Sequence, residues 1–230
     1  MRMLAIYHKT ESARFVSHLD VQRTLHRAFR RAKLPLKFSE GFNPHPELSF
    51  ASALSTGATS DAEWFEVELE SPVAPANFIA RVNESLPKGF YLSDARELPE
   101  QAKTLTNYTR YAAYSVLVTF LAPIEEATLL SQIKALLSGP IIEDKKTKGG
   151  IRPVDIRPQI IRLEGVKSAE DTYILRVIGT LTADGGLRIE LLMRALFRHL
   201  GKEGTYLVHR DAIYFEGVGF LPKLPEKLKD

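Results

Sequence analysis

The spacing of apolar residues predicts a helix early in the chain. Val21, Leu25, Ala28, Phe29 and Ala32 recur at spacings of four, three, one and three, which places them on one side of a cylinder with about 3.6 residues per turn. The helix spans 17–33: Ser17 is placed to accept from first-turn N–H groups, Asp20 favours the positive end of the dipole, and Leu34-Pro35 closes it. Further on the period changes to two, with Trp64, Glu66, Glu68 and Glu70 alternating against Phe65, Val67 and Leu69. That alternation predicts a strand over 62–70 with one wet face. Strands at 3–8, 47–53 and 90–98 and a helix at 75–86, opened by Pro75, complete an order of strand, helix, strand, strand, helix, strand.

The order recurs. Strands are expected at 111–121, 159–166, 171–181 and 205–215, with helices at 124–138, stopped by Gly139-Pro140, and at 187–200. An α+β fold follows, of two tandem ferredoxin-like (βαββαβ) domains, each an antiparallel sheet with two helices on one face. Residues 1–105 form the first and 106–220 the second, with 99–107 as a polar linker and 221–230 as a flexible tail alternating proline and lysine. The halves share no sequence repeat, so any duplication rests on element order alone.

Composition narrows the function. The 230 residues are 44% hydrophobic and 26% charged, ordinary for a globular protein, and the formal charge of +3 permits a polyanionic partner. The absence of cysteine excludes a disulfide framework, a cysteine nucleophile and thiolate ligands for an iron–sulfur cluster. Residues 1–7 are too short for a signal peptide and no apolar run reaches membrane-spanning length, so a cytoplasmic protein without membrane contact is expected.

Two stretches carry candidate chemistry. On the predicted helix, Arg23, Arg27, Arg30 and Arg31 lie opposite the apolar stripe with no glutamate at helix spacing, and arginine's planar fork suits phosphate. The loop Ser39-Glu40-Gly41-Phe42-Asn43-Pro44-His45-Pro46 is stiffened by its prolines, which hold Asn43 and His45 extended. His45 is thereby offered as a phosphate partner or general base, or else as a packing residue against Phe42. The second stretch, 145–158, is a basic glycine-rich loop. Lys146, Lys148, Gly149, Gly150, Arg152 and Arg157 suit a phosphate or RNA backbone; Asp155 between two arginines is a structural ion pair or a single catalytic carboxylate. Neither GxxxxGK[ST] nor GxGxxG occurs, and no metal-ligand spacing is found, so no metal or cofactor is expected.

The runs FxSHLD, which holds His18, RAxRRAxLP, SxGFNPHP and SFAxxLxxG resemble the N-terminal half of a bacterial family called the radical-SAM-linked proteins. The likeness resumes at GGIRPVDIRPQIIR, residues 149–162. The resemblance implies a chain encoded beside, or fused to the end of, a radical SAM protein with a cobalamin-type binding domain; it carries over no catalytic residue. Three readings stand. One is a non-catalytic RNA-binding or substrate-presenting subunit for a radical SAM enzyme, in RNA modification or translation-related processing. The second is an RNA-modifying or RNA-cleaving enzyme with a cleft between two ferredoxin-like domains, as in pseudouridine synthases, using His45 or Asp155. The third is a protein–protein adaptor.

Overall fold

The structure, a computed structural model, describes residues 1–147 and 149–229. Strands β1 (Arg2–Lys9), β2 (Leu48–Phe50), β3 (Ala58–Glu68) and β4 (Phe90–Glu97) alternate with helices α1 (His18–Arg31) and α2 (Pro75–Ser85). The second half contains β5 (Thr109–Phe120), α3 (Glu126–Leu137), the hairpin β6 (Ile142–Thr147) and β7 (Gly150–Asp155), β8 (Ile160–Ala169), β9 (Thr172–Thr182), β10 (Gly185–Gly186), α4 (Ile189–Leu200) and β11 (Gly204–Phe215). The result is an α+β fold on one nine-stranded sheet, ordered β10-β9-β5-β11-β3-β1-β4, with β2 beside β3 and β8 beside β9. Among the described residues every pairing except that of β3 with β11 is antiparallel.

Two cores lie along this sheet. Met3, Ala5 and Tyr7 of β1 and Phe65 and Val67 of β3 meet Val21, Leu25, Ala28 and Phe29 of α1 and Phe78 and Val82 of α2. Each large side chain buried there contributes roughly 1.5–3 kcal/mol. The larger core gathers Val116 and Val118 of β5, Leu175 and Val177 of β9, Leu129 and Ile133 of α3, and Leu192, Met193 and Leu196 of α4.

The start of α1 is the expected one: Ser17 Oγ accepts from the Asp20 N–H at 3.2 Å. Its end differs in mechanism. Lys33 takes a left-handed φ of 49°, the Leu34 N–H reaches the Phe29 carbonyl at 3.2 Å, and the Lys33 N–H reaches that of Arg30 at 3.0 Å. The chain therefore turns before Pro35 acts. Arg81 of α2 donates to the freed carbonyls of Ala32 and Lys33, satisfying acceptors that a helix end otherwise leaves to water.

Several expectations are adjusted. The second strand shrinks to Leu48–Phe50, while the third begins at Ala58. The face of β3 expected to be wet is covered at Trp64 and Glu66, half-buried at Glu68 and open at Glu70: Trp64 packs edge-on to Phe215 with ring centroids 5.4 Å apart, Arg96 lies 5.4 Å above its ring, and Glu66 pairs with Arg2 at 2.6 Å. The stretch 99–107 is anchored by buried Leu105 and by Arg2, which donates to the carbonyls of Ala102 and Lys103. Residues 221–229, expected to be loose, lie against the protein: Leu221 and Leu224 are buried, the Phe215 N–H donates to the Pro222 carbonyl at 2.8 Å, and Arg162 reaches the Lys227 carbonyl at 3.2 Å. The basic loop is a hairpin docked on α4, where buried Glu143 pairs with Arg194 at 2.5 Å and Arg198 at 2.6 Å.

A lysine at positive φ carries a Cβ penalty of about 1 kcal/mol that glycine avoids. Lys33→Gly is expected to raise unfolding stability by up to about 1 kcal/mol, read as a higher denaturation midpoint at unchanged slope. A lower midpoint would mean that the α1 terminus is held by the lysine side chain instead.

Candidate functional site

The halves meet through the parallel register Ala58–Val208, Thr59–His209 and Ser60–Arg210. Side chains fasten it: Thr59 Oγ1 lies 2.8 Å from His209 Nδ1, and Ser60 Oγ donates to the Arg210 carbonyl at 3.1 Å. Farther along, the same edge of β3 is taken by β2. A cleft of about 1200 Å³ lies at this junction, bordered by the first residues of both α1 and α4. Arg14, Lys145, Arg188 and Arg210 face it, against Asp184 and Glu190.

Two glycines shape the walls. Gly57, at φ +88°, donates its N–H to the Arg14 carbonyl at 3.0 Å and accepts from Arg14 Nη1 at 2.8 Å. At Gly186 a Cβ would stand 2.3 Å from the Thr180 carbonyl oxygen, so only glycine fits there.

Beneath the cleft is a buried charge cluster. Arg210, 4% exposed, presents Nη1 to both carboxylate oxygens of Glu63, 1% exposed, at 3.0 and 3.1 Å, and its guanidinium lies 5.4 Å from the Tyr114 ring centre. Lys9, also 1% exposed, donates to the Arg14 carbonyl at 2.9 Å and has no carboxylate partner among the described residues. Burial pushes its ammonium down to about 8, with Arg14 adding to the effect and Glu63 opposing it. Burial and the charge of Glu63 push the Tyr7 phenol well up. Burial opposes the charge on Arg210, and Glu63 restores it. His18, the first residue of α1, lines the cleft with its ring edge-on to Phe50 at 4.8 Å. Its Nδ1 is buried without a partner among the described residues, and burial, with Arg210 and Lys9 nearby and Glu63 opposing, pulls its pKa down. A histidine so placed is neutral near pH 7.

A family of bacterial proteins, described as "uncharacterized protein conserved in bacteria" (DUF2344), matches residues 2–188. The chain belongs to this family. The match covers the first three helices and both stretches singled out by sequence, and stops before α4 and β11. No functionally curated protein matches the chain in sequence. Among solved structures, a chain of a Cbf5-Nop10-Gar1 complex is similar over 90% of this chain and 47% of its own, at 12% identity and a TM-score of 0.52. A chain of an H/ACA ribonucleoprotein bound to a substrate RNA containing 2′-deoxyuridine covers 90% and 46%, at 10% identity and a TM-score of 0.49. The family member thus spans about half the length of these structural neighbours, and the likeness is one of fold.

The candidate residues divide by position. His18 lines the cleft; Arg23, Arg27, Arg30 and Arg31 are exposed farther along α1, outside its lining. Arg23 is neutralised by Asp20 at 2.9 Å and Arg31 donates to the Ser85 carbonyl at 2.6 Å, leaving Arg27 and Arg30 with neither an ion pair nor a side-chain hydrogen bond among the described residues. Asn43 is exposed, and His45 Nδ1 lies 2.9 Å from Ser39 Oγ in an exposed loop. That loop passes near α1, since the charges of Arg30 and His45 add to burial in lowering the His26 pKa. On the hairpin, Lys146, Gly149, Gly150 and Arg152 are exposed and Lys148 lies outside the described residues. Lys145, on the same strand face as the docked Glu143, is the hairpin residue that lines the cleft. Arg157 donates to the carbonyls of Leu137 at 2.6 Å and Ile160 at 3.0 Å. Asp155 Oδ1 accepts from the N–H groups of Ile141 and Arg157 at 2.9 Å each.

A second polar cluster crosses the junction. Asp61 Oδ1 lies 3.0 Å from His8 Nδ1 and Asp61 Oδ2 lies 3.2 Å from His209 Nε2, while the His8 ring stacks on Tyr91 at 4.2 Å. Partial burial works against the Asp61 carboxylate, but the bond from His8 and the charge of His209 hold its pKa below the usual range. Among the described residues no group of histidine and carboxylate side chains is arranged to hold a metal ion, and no helix is long and apolar enough to cross a membrane.

A lysine whose folded pKa is depressed binds fewer protons folded than unfolded above that pKa, so stability increases with pH across the window between the folded and unfolded values. Wild-type unfolding stability is therefore expected to rise from pH 8 towards 10.5 relative to Lys9→Met, with the difference measured by denaturant titration at each pH. Parallel pH profiles for the two proteins would show that Lys9 is not held uncompensated.

Proposed function

We propose that this chain binds RNA across the junction cleft, as a non-catalytic, substrate-presenting partner of a radical SAM enzyme in the cytoplasm. The observation that carries the reading is the cationic lining: Arg14, Lys145, Arg188 and Arg210 converge from separate segments on one open cleft. Positive side chains along an open groove neutralise a phosphate backbone and hold a strand without reading its sequence. In this reading the two halves are ferredoxin-like units, with strand orders β4-β1-β3-β2 and β11-β5-β9-β8, and the unpaired Arg27 and Arg30 extend the positive field outward along α1. Residues 1–105 and 106–220 are the two units, with β6 and β7 an insertion in the second.

The radical SAM partner comes from the resemblance of the SHLD, GFNPHP and GGIRPVDIRP blocks. Phe15 just before α1, Leu19 in its first turn and Phe42 in the proline-rich loop are exposed apolar side chains within or next to these blocks. Exposed aromatic and aliphatic groups of this kind anchor protein interfaces. RNA in the cleft and a protein on the outer loop share Phe15, which also lines the cleft, and otherwise use different residues.

The test is fluorescence anisotropy with a labelled single-stranded RNA across a salt series. Wild type is expected to bind with log affinity falling as log salt rises. The double variant Lys145→Ala, Arg188→Ala is expected to lower affinity and to flatten the slope by roughly 1.4, the counterion release of two phosphate contacts on a single strand. His45→Ala is expected to weaken binding less than the double variant. Absence of binding, or binding indifferent to salt, would move the protein to the adaptor class.

A further inference from the structure

Buried charge around the cleft does not balance. Lys9, Arg14 and Arg210 are buried cations, and Glu63 is the one buried carboxylate beside them. Glu63 is engaged by Arg210, and the Arg14 guanidinium is answered by Glu11, whose side chain is largely exposed. The Lys9 ammonium is left with a single neutral acceptor, the Arg14 carbonyl. Burying an ammonium without a counter-charge costs several kcal/mol. Arg210 is itself incompletely used: Nη1 serves Glu63, Nη2 reaches the Ala53 carbonyl at 3.4 Å, and Nε is buried with no partner among the described residues. His18 adds a second unsatisfied nitrogen on the same wall, at the N-terminal end of α1. Buried cations outnumber buried carboxylates among the described residues at one place, where a cleft opens.

We propose that the floor of the cleft, around Arg210, His18 and the N-terminal end of α1, is a subsite for the phosphate of a nucleotide. The subsite rests on the RNA-binding reading and names the group that reading places deepest. A phosphate oxygen at the floor accepts from Arg210, charge-assisted, and takes the favourable end of the α1 dipole. Its negative charge supplies the counter-ion that Lys9 lacks, through space and without contact. A phosphodiester within a strand and the monoester of a free nucleotide present the same chemistry to these groups. Tyr114 beneath Arg210, and Phe50 beside His18, close the floor on the apolar side, which strengthens each charge interaction by excluding water.

The experiment is calorimetric titration of the full chain with adenosine, with adenosine 5′-monophosphate, and with a short RNA lacking terminal phosphates, for wild type, Lys9→Met and Glu63→Gln. The expected result is that the monophosphate binds and adenosine does not. Lys9→Met weakens the monophosphate by about tenfold or more, since the through-space attraction of a buried ammonium for the phosphate is lost and tenfold is one decade of affinity. Glu63→Gln, which removes the competing carboxylate, tightens it. Should Glu63→Gln fail to fold, Lys9→Met remains readable, because removing an uncompensated buried cation leaves a protein at least as stable as wild type. Equal binding of adenosine and its monophosphate, or monophosphate binding that Lys9→Met leaves unchanged, overturns the subsite. Monophosphate binding without competition by the RNA keeps the subsite and overturns the RNA reading; RNA binding without any monophosphate effect does the reverse.

Discussion

The ion pair of Glu63 and Arg210 is the constraint on which the junction depends. One partner belongs to β3 and the other to β11, and the parallel contact between those strands is only three residue pairs long. Taking two charges out of water is costly, and removing either partner alone from such a pair costs about 3–5 kcal/mol. The pair therefore favours the one arrangement in which both charges are satisfied. The seam it holds is also the cleft wall, so the geometry of the site and the joining of the halves come from the same atoms.

That coupling explains why polar residues are buried where an apolar core would be more stabilising. The second cluster, Asp61 between His8 and His209, lies across the same junction. Thr59 and Ser60 add hydrogen bonds of 2.8 and 3.1 Å. An interface built this way trades stability for a defined register, and it leaves charged groups close to an open cleft. The surplus of positive charge there is what the proposed phosphate subsite would use.

Much of the fold was legible in the sequence because the relevant signals are local. The spacing of Val21, Leu25, Ala28 and Phe29 and the cap at Ser17 locate α1 nearly to the residue, and the strands expected at 111–121 and 171–181 are β5 and β9. What was not legible depends on distant segments. Trp64 reads as exposed by alternation, and is buried only because Phe215 and Arg96 come to it from elsewhere. The site was legible in one part: His18 and the basic hairpin were marked, but through Lys145 more than its neighbours. Lys9, Glu63 and Arg210 sit in three separate strands with no spacing to connect them. Their one sequence signal is a charged residue at an inward position of a strand, as Lys9 is two residues beyond Tyr7, and that signal has meaning only once the strands are paired.

The central claim is that RNA lies in the cleft and not along the outer arginine face of α1. Photo-crosslinking of the full chain to a 4-thiouridine-substituted RNA, followed by peptide mapping, tests it most directly. The account predicts crosslinks in residues 48–58, 181–190 and 206–208, the segments that line the cleft. Crosslinks confined to residues 23–31, with the cleft segments unmarked, would contradict it.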